Sequence, residues 1–185
     1  MRTDRPSIWS GAQRHLHWWT AALILIGFTI GWIMVNLPLS QLFAKFVLYQ
    51  VHKNIGMIVF ALVCVRLLFR AGRTRPGWDT DLPVWQHRAA SGMHALLYIL
   101  LLLTPVLGYL TAATAPARVP TIFLGFIQVP HLLGPDRELF AILRPIHRGF
   151  AIALVLLACG HAAAAVHNHF QGRNTLLRMW RGRAA

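Results

Sequence analysis

Residues 147–169 read HRGFAIALVLLACGHAAAAVHNH, an apolar run with a histidine at its start, another deep inside it and two more where it closes. The apolar part has the length of a membrane-spanning helix, about 20 residues. An imidazole among hydrocarbon side chains at membrane depth is costly unless something binds it, so each such histidine marks a candidate functional site. His147 and His161 stand 14 residues apart. At about 100° per residue this returns them to within about 40° of one helix face, and separates them by about 21 Å along the axis. That face offers a ligand nitrogen near each membrane surface.

Composition agrees with a membrane setting. Hydrophobic residues make up 56% of the 185 and charged residues only 12%, with a mean hydropathy of +0.52, far from an ordinary soluble domain. The formal charge of +13 raises nucleic acid as a partner. The basic residues sit instead at the ends of apolar runs and form no basic stripe or recognisable nucleic-acid motif, so they read as topology signals. Cys64 and Cys159 each lie deep in an apolar run, and no C-x-x-C-H motif is present. Covalent haem attachment is excluded on that ground, and both cysteines read as small core residues.

Outward from the opening stretch, three more runs are long enough to span a bilayer, at about residues 15–36, 46–69 and 93–113, with the fourth at 146–168. The first is too long for a signal-peptide core, and no small-residue cleavage site follows it. Residues 70–88, rich in Arg, Pro, Gly and Asp, read as a surface loop. Residues 114–145 contain five prolines. Their apolar part, 122–129, is too short to span and reads as an interfacial or packed loop that roofs one end of the bundle. The chain closes on the basic tail GRNTLLRMWRGRAA. The expected architecture is all-α: one integral membrane four-helix bundle over residues 1–185.

Orientation follows from Lys and Arg. Of the 18, twelve fall on the side of the N-terminus, the 70–88 loop and the C-terminal tail. Six (Lys45, Lys53, Arg118, Arg137, Arg144, Arg148) fall on the other. The bias places both termini in the cytoplasm. The histidines then sort by depth. His52 begins the second run and His147 the fourth, both near the outer surface, while His17 and His161 lie near the inner one. The pairs are therefore His52 with His147 and His17 with His161. Two depth-matched imidazoles on different helices of a bundle are what a six-coordinate b-type haem iron requires.

Competing readings are narrower. A zinc site lacks acidic or thiolate companions at either depth. His15 adjoins Arg14 nearer the water and ranks behind His17. His94, at the inner start of the third run, suits hydrogen bonding or contact with a haem edge. His87 and His131 fall in loops and read as solvated. Arg66 lies close enough to its helix end to snorkel. Trp18, Trp19 and Trp32 are explained by the aromatic belt.

The segments RHLHWW, VHKNIGMIVFALVCVRLLFR, MHALLYILLLLTPVLGYL, IHRGFAIALVLLACGHAAAAVHNHF and RNTLLRMW resemble the bacterial cytochrome b561 family of di-haem membrane proteins, most closely its superoxide-oxidising members. The resemblance covers nearly the whole chain in order. Carried over position by position, the family's haem ligands fall on His17, His52, His147 and His161. After His161 this chain is one residue shorter than the family pattern, which leaves His167 and His169 as alternatives for the family's quinone-side histidine. The resemblance implies two haem b groups, oxidation of superoxide at the outer face, and ubiquinone as electron acceptor.

The residues are compatible with that chemistry. Six outer cations against Asp136 and Glu138 leave a net of about +4, and such a field raises the encounter rate of a small anion. Lys53 and Arg148, each beside a presumed outer ligand, are the candidates for drawing superoxide in, the bland reading being contact with membrane lipid phosphates. For a quinone at the inner side the candidate donors are His167, His169, Asn168 and Arg75. Two alternatives are a haem b subunit relaying electrons between quinone and a partner dehydrogenase or hydrogenase, and a haem-free transporter. The latter lacks the unwound, repeat-related helix pair that transporters use.

Overall fold

Ser10 starts the first helix through a reciprocal cap: its side-chain oxygen accepts from Gln13 N, and the Gln13 side chain accepts from Ser10 N. In this computed structural model, which describes residues 9–72, 83–173 and 175–180, the helix so begun is α1 (Gly11–Asn36). It ends where Pro38 forces Leu37 into an extended conformation. A 3-10 turn (Leu39–Gln41) leads into α2 (Leu42–Gly72). Lys45, read from sequence as part of a connection, lies in the first turn of α2, and its ammonium donates to Leu37 O at 2.8 Å.

The other helices also overrun their apolar cores. α3 (Val84–Thr114) begins behind Pro83, whose fixed φ suits a helix start. This takes in His87 and Arg88, which sequence reading assigned to a loop. α4 (Arg137–Phe170) is capped by Asp136, whose carboxylate accepts from Glu138 N and Leu139 N. It runs straight through Pro145. At 34 residues it is about 51 Å long against a hydrocarbon layer of about 30 Å, more than a single span needs. A short α5 (Thr175–Trp180) follows.

Four helices, α1 to α4, are long and apolar enough to cross a membrane. Each packs on its sequence neighbour, and α1 closes the ring against α4, so the bundle runs up, down, up, down. One end carries the start of α1, the end of α2, the start of α3, and α5. We call it the terminal end. The opposite, hairpin end carries the one departure from an all-helical chain among the described residues. Here β1 (Thr121–Phe123) pairs antiparallel with β2 (Ile127–Val129), Ile122 opposite Gln128. The turn places Leu124 and Gly125 at positive φ, as a tight hairpin requires. The hairpin roofs its end by bonding to side chains of α2. Gln50 donates to Pro120 O and accepts from Ile122 N, while Asn54 donates to Ile122 O and accepts from Leu124 N.

The buried core is small: Ile55, Val59 and Val63 of α2, Leu100 and Leu101 of α3, and Leu154 of α4. Gly27 lets α1 approach so closely that a Cβ there would stand 3.0 Å from Ile55 Cγ2, the small-residue packing membrane helices use. Large apolar side chains elsewhere, Ile33, Leu68 and Leu156 among them, face outward, with lipid as their solvent. Cys159 faces outward too, and Cys64 is half-buried, so the core reading fits Cys64 better. Lipid is as good a solvent as core for a small apolar side chain.

Candidate functional site

The spacing of 14 residues between His147 and His161 recurs on every spanning helix. On α1 it joins His17 to Gly31, on α2 His52 to Arg66, and on α3 His94 to Gly108. The four helices thus build two layers about 21 Å apart. The hairpin-end layer holds Gly31, His52, Gly108 and His147. The terminal-end layer holds His17, Arg66, His94 and His161.

In the hairpin-end layer the rings of His52 and His147 stand edge-on, their planes 80° apart and their centroids 6.1 Å apart. Their Nδ1 atoms lie against backbone carbonyls of the flanking helices, His52 on Gly27 O at 2.9 Å and His147 on Thr104 O at 3.0 Å. A carbonyl only accepts, so Nδ1 carries the proton and Nε2 the free lone pair. This second-shell bond orients metal-ligating histidines generally. One turn along each flanking helix a glycine makes the room. A Cβ at Gly31 would stand 2.9 Å from His52 Cε1, and one at Gly108 2.9 Å from His147 Cε1.

In the terminal-end layer His17 and His161 are 6.3 Å apart. Arg66 and His94 occupy the remaining two positions. Arg66 Nη2 donates to His17 Nδ1 at 3.3 Å, and its guanidinium lies over the Tyr98 ring at 5.4 Å, as does that of Arg70. Arg66 therefore turns into the bundle rather than snorkelling out of it. His94 bonds Ala90 O through Nδ1 at 2.6 Å and sits edge-on to His161 at 5.1 Å. Trp18 stands edge-on to His17 at 5.4 Å and donates to Met179 O, so it docks α5 beside the layer instead of serving only the lipid interface.

These distances test what the layers can hold. At metal–imidazole bonds of about 2.0 Å, two rings facing across one metal have centroids about 6 Å apart. The His52/His147 and His17/His161 separations meet that requirement. The 5.1 Å between His94 and His161 is too short for it, which leaves His94 a neighbour of the pair. Among the described residues no three His, Cys, Asp or Glu side chains converge on a metal position. The two centroid separations, with the glycine clearance at the hairpin end, fit an iron porphyrin, which His52 with His147 and His17 with His161 would hold.

The remaining sequence candidates are more scattered. Lys53 donates to Val119 O and Pro120 O at 3.1 and 3.2 Å, holding the segment that leads into the hairpin. Arg148 lies over the Trp32 ring at 5.6 Å, tying α4 to α1. Both remain cations at the hairpin end, but neither side chain is free of structural work. His131, in the connection after the hairpin, bonds Thr121 Oγ1 through Nε2 at 2.9 Å and stands edge-on to Tyr109. Burial, helped by the Lys53 ammonium, pushes its imidazole below its ordinary value. At the far end of α4, Gln171 donates to His167, His169 leans on Phe170, and Asn168 accepts from Arg173 at 2.6 Å. The described contacts do not bring His167 or His169 to the His17/His161 pair. His15 lies exposed on the first turns of α1, and Arg75 lies outside the described residues.

Comparison with known proteins agrees with this arrangement. The family described as prokaryotic cytochrome b561 matches residues 8–182. Cytochrome b561 homolog 1 of Escherichia coli is 34% identical over 175 residues, covering 92% of this chain and 95% of that protein. Cytochrome b561 homolog 2 of the same organism is 25% identical over 183 residues, covering 99% and 96%. The chain belongs to the prokaryotic cytochrome b561 family, haem b electron-transfer proteins that cross the bacterial inner membrane several times.

Proposed function

We propose that this protein oxidises superoxide at its hairpin end and passes the electrons, through two haem b groups held by His52/His147 and His17/His161, to ubiquinone at its terminal end. In this reading both termini are cytoplasmic and the hairpin end faces the periplasm. The observation that carries it is the two imidazole couples, with centroids 6.1 and 6.3 Å apart, one in each layer. When bound, each haem supplies a carrier for one electron at a time. Overall, two superoxide anions each lose one electron and leave as dioxygen, and one quinone takes up two electrons and two protons.

The chain's own residues have defined tasks in this account. Gly27 O and Thr104 O hold the tautomer that points Nε2 of His52 and His147 inward. Gly31 and Gly108 keep the space open. Lys53 and Arg148 remain near the hairpin-end layer as charges that favour approach of a small anion, even while tied to carbonyls and to Trp32. Apolar helix faces between the layers exclude water. For the quinone, the hydrogen-bond and proton donors are drawn from His94, beside the terminal-end pair, and from His167, His169 and Arg75 near the same membrane surface.

Stopped-flow mixing of the purified protein with generated superoxide and a soluble ubiquinone analogue tests the assignment. The expected result is haem reduction by superoxide, faster than in Lys53→Gln/Arg148→Gln protein, with quinol as product. Haem reduction no faster than in a ligand-substituted control would overturn superoxide as donor and leave the chain a haem relay fed by a partner dehydrogenase or hydrogenase.

A further inference from the structure

The two layers differ in what fills the positions beside the histidine pairs. At the hairpin end these are glycines, and the ligand rings rest on neutral carbonyls. At the terminal end one is Arg66, whose guanidinium meets His17 directly at 3.3 Å and is held there by the Tyr98 ring. An arginine does not deprotonate in proteins, so this is a fixed positive charge against one ligand of one pair. Among the described residues the carboxylate side chains are those of Asp136 and Glu138, both at the opposite end, at the start of α4.

We infer that Arg66 is a positioning residue whose charge, held against His17 by Tyr98, raises the reduction potential of the terminal-end centre above that of the hairpin-end centre and so directs electrons inward. The inference rests on the two-centre reading proposed above. An oxidised iron porphyrin carries one more positive charge than its reduced form, so a neighbouring cation disfavours the oxidised form and raises the potential. The opposite bias acts at the hairpin end. There the Nδ1–H bonds to Gly27 O and Thr104 O make the imidazoles more basic, which favours the oxidised iron.

Lys53 and Arg148 do not cancel this difference. The half-buried Lys53 ammonium is shared between two carbonyls before the hairpin, and Arg148 is exposed over Trp32, where salt and solvent screen it; among the described contacts neither reaches a ligand ring as Arg66 does. The bond from Arg66 to Nδ1 itself requires a lone pair on Nδ1. With Nε2 on a metal the neutral ring carries its proton on Nδ1, the hydrogen bond lapses, and the Tyr98 ring still keeps the guanidinium nearby as a charge.

Redox titration of the purified holoprotein, followed optically and by electron paramagnetic resonance, tests this. In Arg66→Gln one midpoint should fall by at least a tenfold change in the oxidised-to-reduced equilibrium, about 59 mV for a one-electron couple, with the other midpoint unmoved. Arg66→Lys should restore it, and Arg70→Gln, which shares Tyr98 but touches no ligand, should shift it less. Two haems per chain with both Arg66→Gln midpoints at wild-type values would overturn the inference. A second measurement covers a neutral variant that loses its haem. His52→Ala retains the His17/His161 centre and His17→Ala the His52/His147 centre, and the former should titrate at the higher potential. The reverse order would overturn the inference, whereas protein that never carries two haems contradicts the two-centre reading instead.

Discussion

At the scale of single residues the protein is organised by what each position 14 places from a histidine contributes. Gly31 and Gly108 are as much a part of the hairpin-end pair as the ligands, because a methyl group at either would press on an imidazole carbon at 2.9 Å. Gly31→Ala and Gly108→Ala should each lose the hairpin-end haem, leaving about one per chain by pyridine haemochrome assay. Gly56→Ala, with open space at its Cβ, should keep both and gain slightly in helix stability, up to about 1 kcal/mol. Full haem content in Gly31→Ala would contradict the clearance argument. The four histidines of the two pairs are legible in the sequence because an imidazole at membrane depth is costly unless it is bound or paired. Arg66 is not, since an arginine near the end of an apolar run already has an explanation in lipid phosphate. The signal available was its distance from His52, equal to that between His147 and His161.

At the scale of elements, hydropathy finds the four helices and misplaces their ends. α3 and α4 begin about nine residues before their apolar runs, because Pro83 and Asp136 supply the helix starts and neither is apolar. The hairpin is less legible still. Three residues per strand give no alternation to read, and the partners of β1 are side chains of α2 some 70 positions away. Asn54 makes two of these bonds, to Ile122 O and Leu124 N. Removing both in Asn54→Ala should weaken hairpin docking by about 1–3 kcal/mol, at about 0.5–1.5 per bond. Hydrogen exchange at the Leu124 amide should then rise roughly tenfold or more, with exchange in the middle of α2 unchanged. An unaltered Leu124 rate would show that the roof is held by other contacts, with Lys53 the first to examine.

At the scale of the whole molecule, the small core, the outward-facing apolar side chains and the ring of four helices make lipid part of the solvent, and the repeated spacing puts one layer near each membrane surface. The proposed orientation, with both termini cytoplasmic, rests on twelve cationic residues against six. A fluorescent protein fused to the C-terminus should therefore glow, and alkaline phosphatase fused there should be inactive; active phosphatase would invert the orientation and with it the side on which superoxide is met. The central claim, that two histidine pairs each hold one haem, is tested most directly by haem content per chain in the wild type and in His17→Ala, His52→Ala, His147→Ala and His161→Ala. The account predicts two haems in the wild type and about one in each variant. His52→Ala and His147→Ala should lose the same spectral component, and His17→Ala and His161→Ala the other. A wild type with a single haem, or variants whose losses do not fall into those two couples, would contradict it.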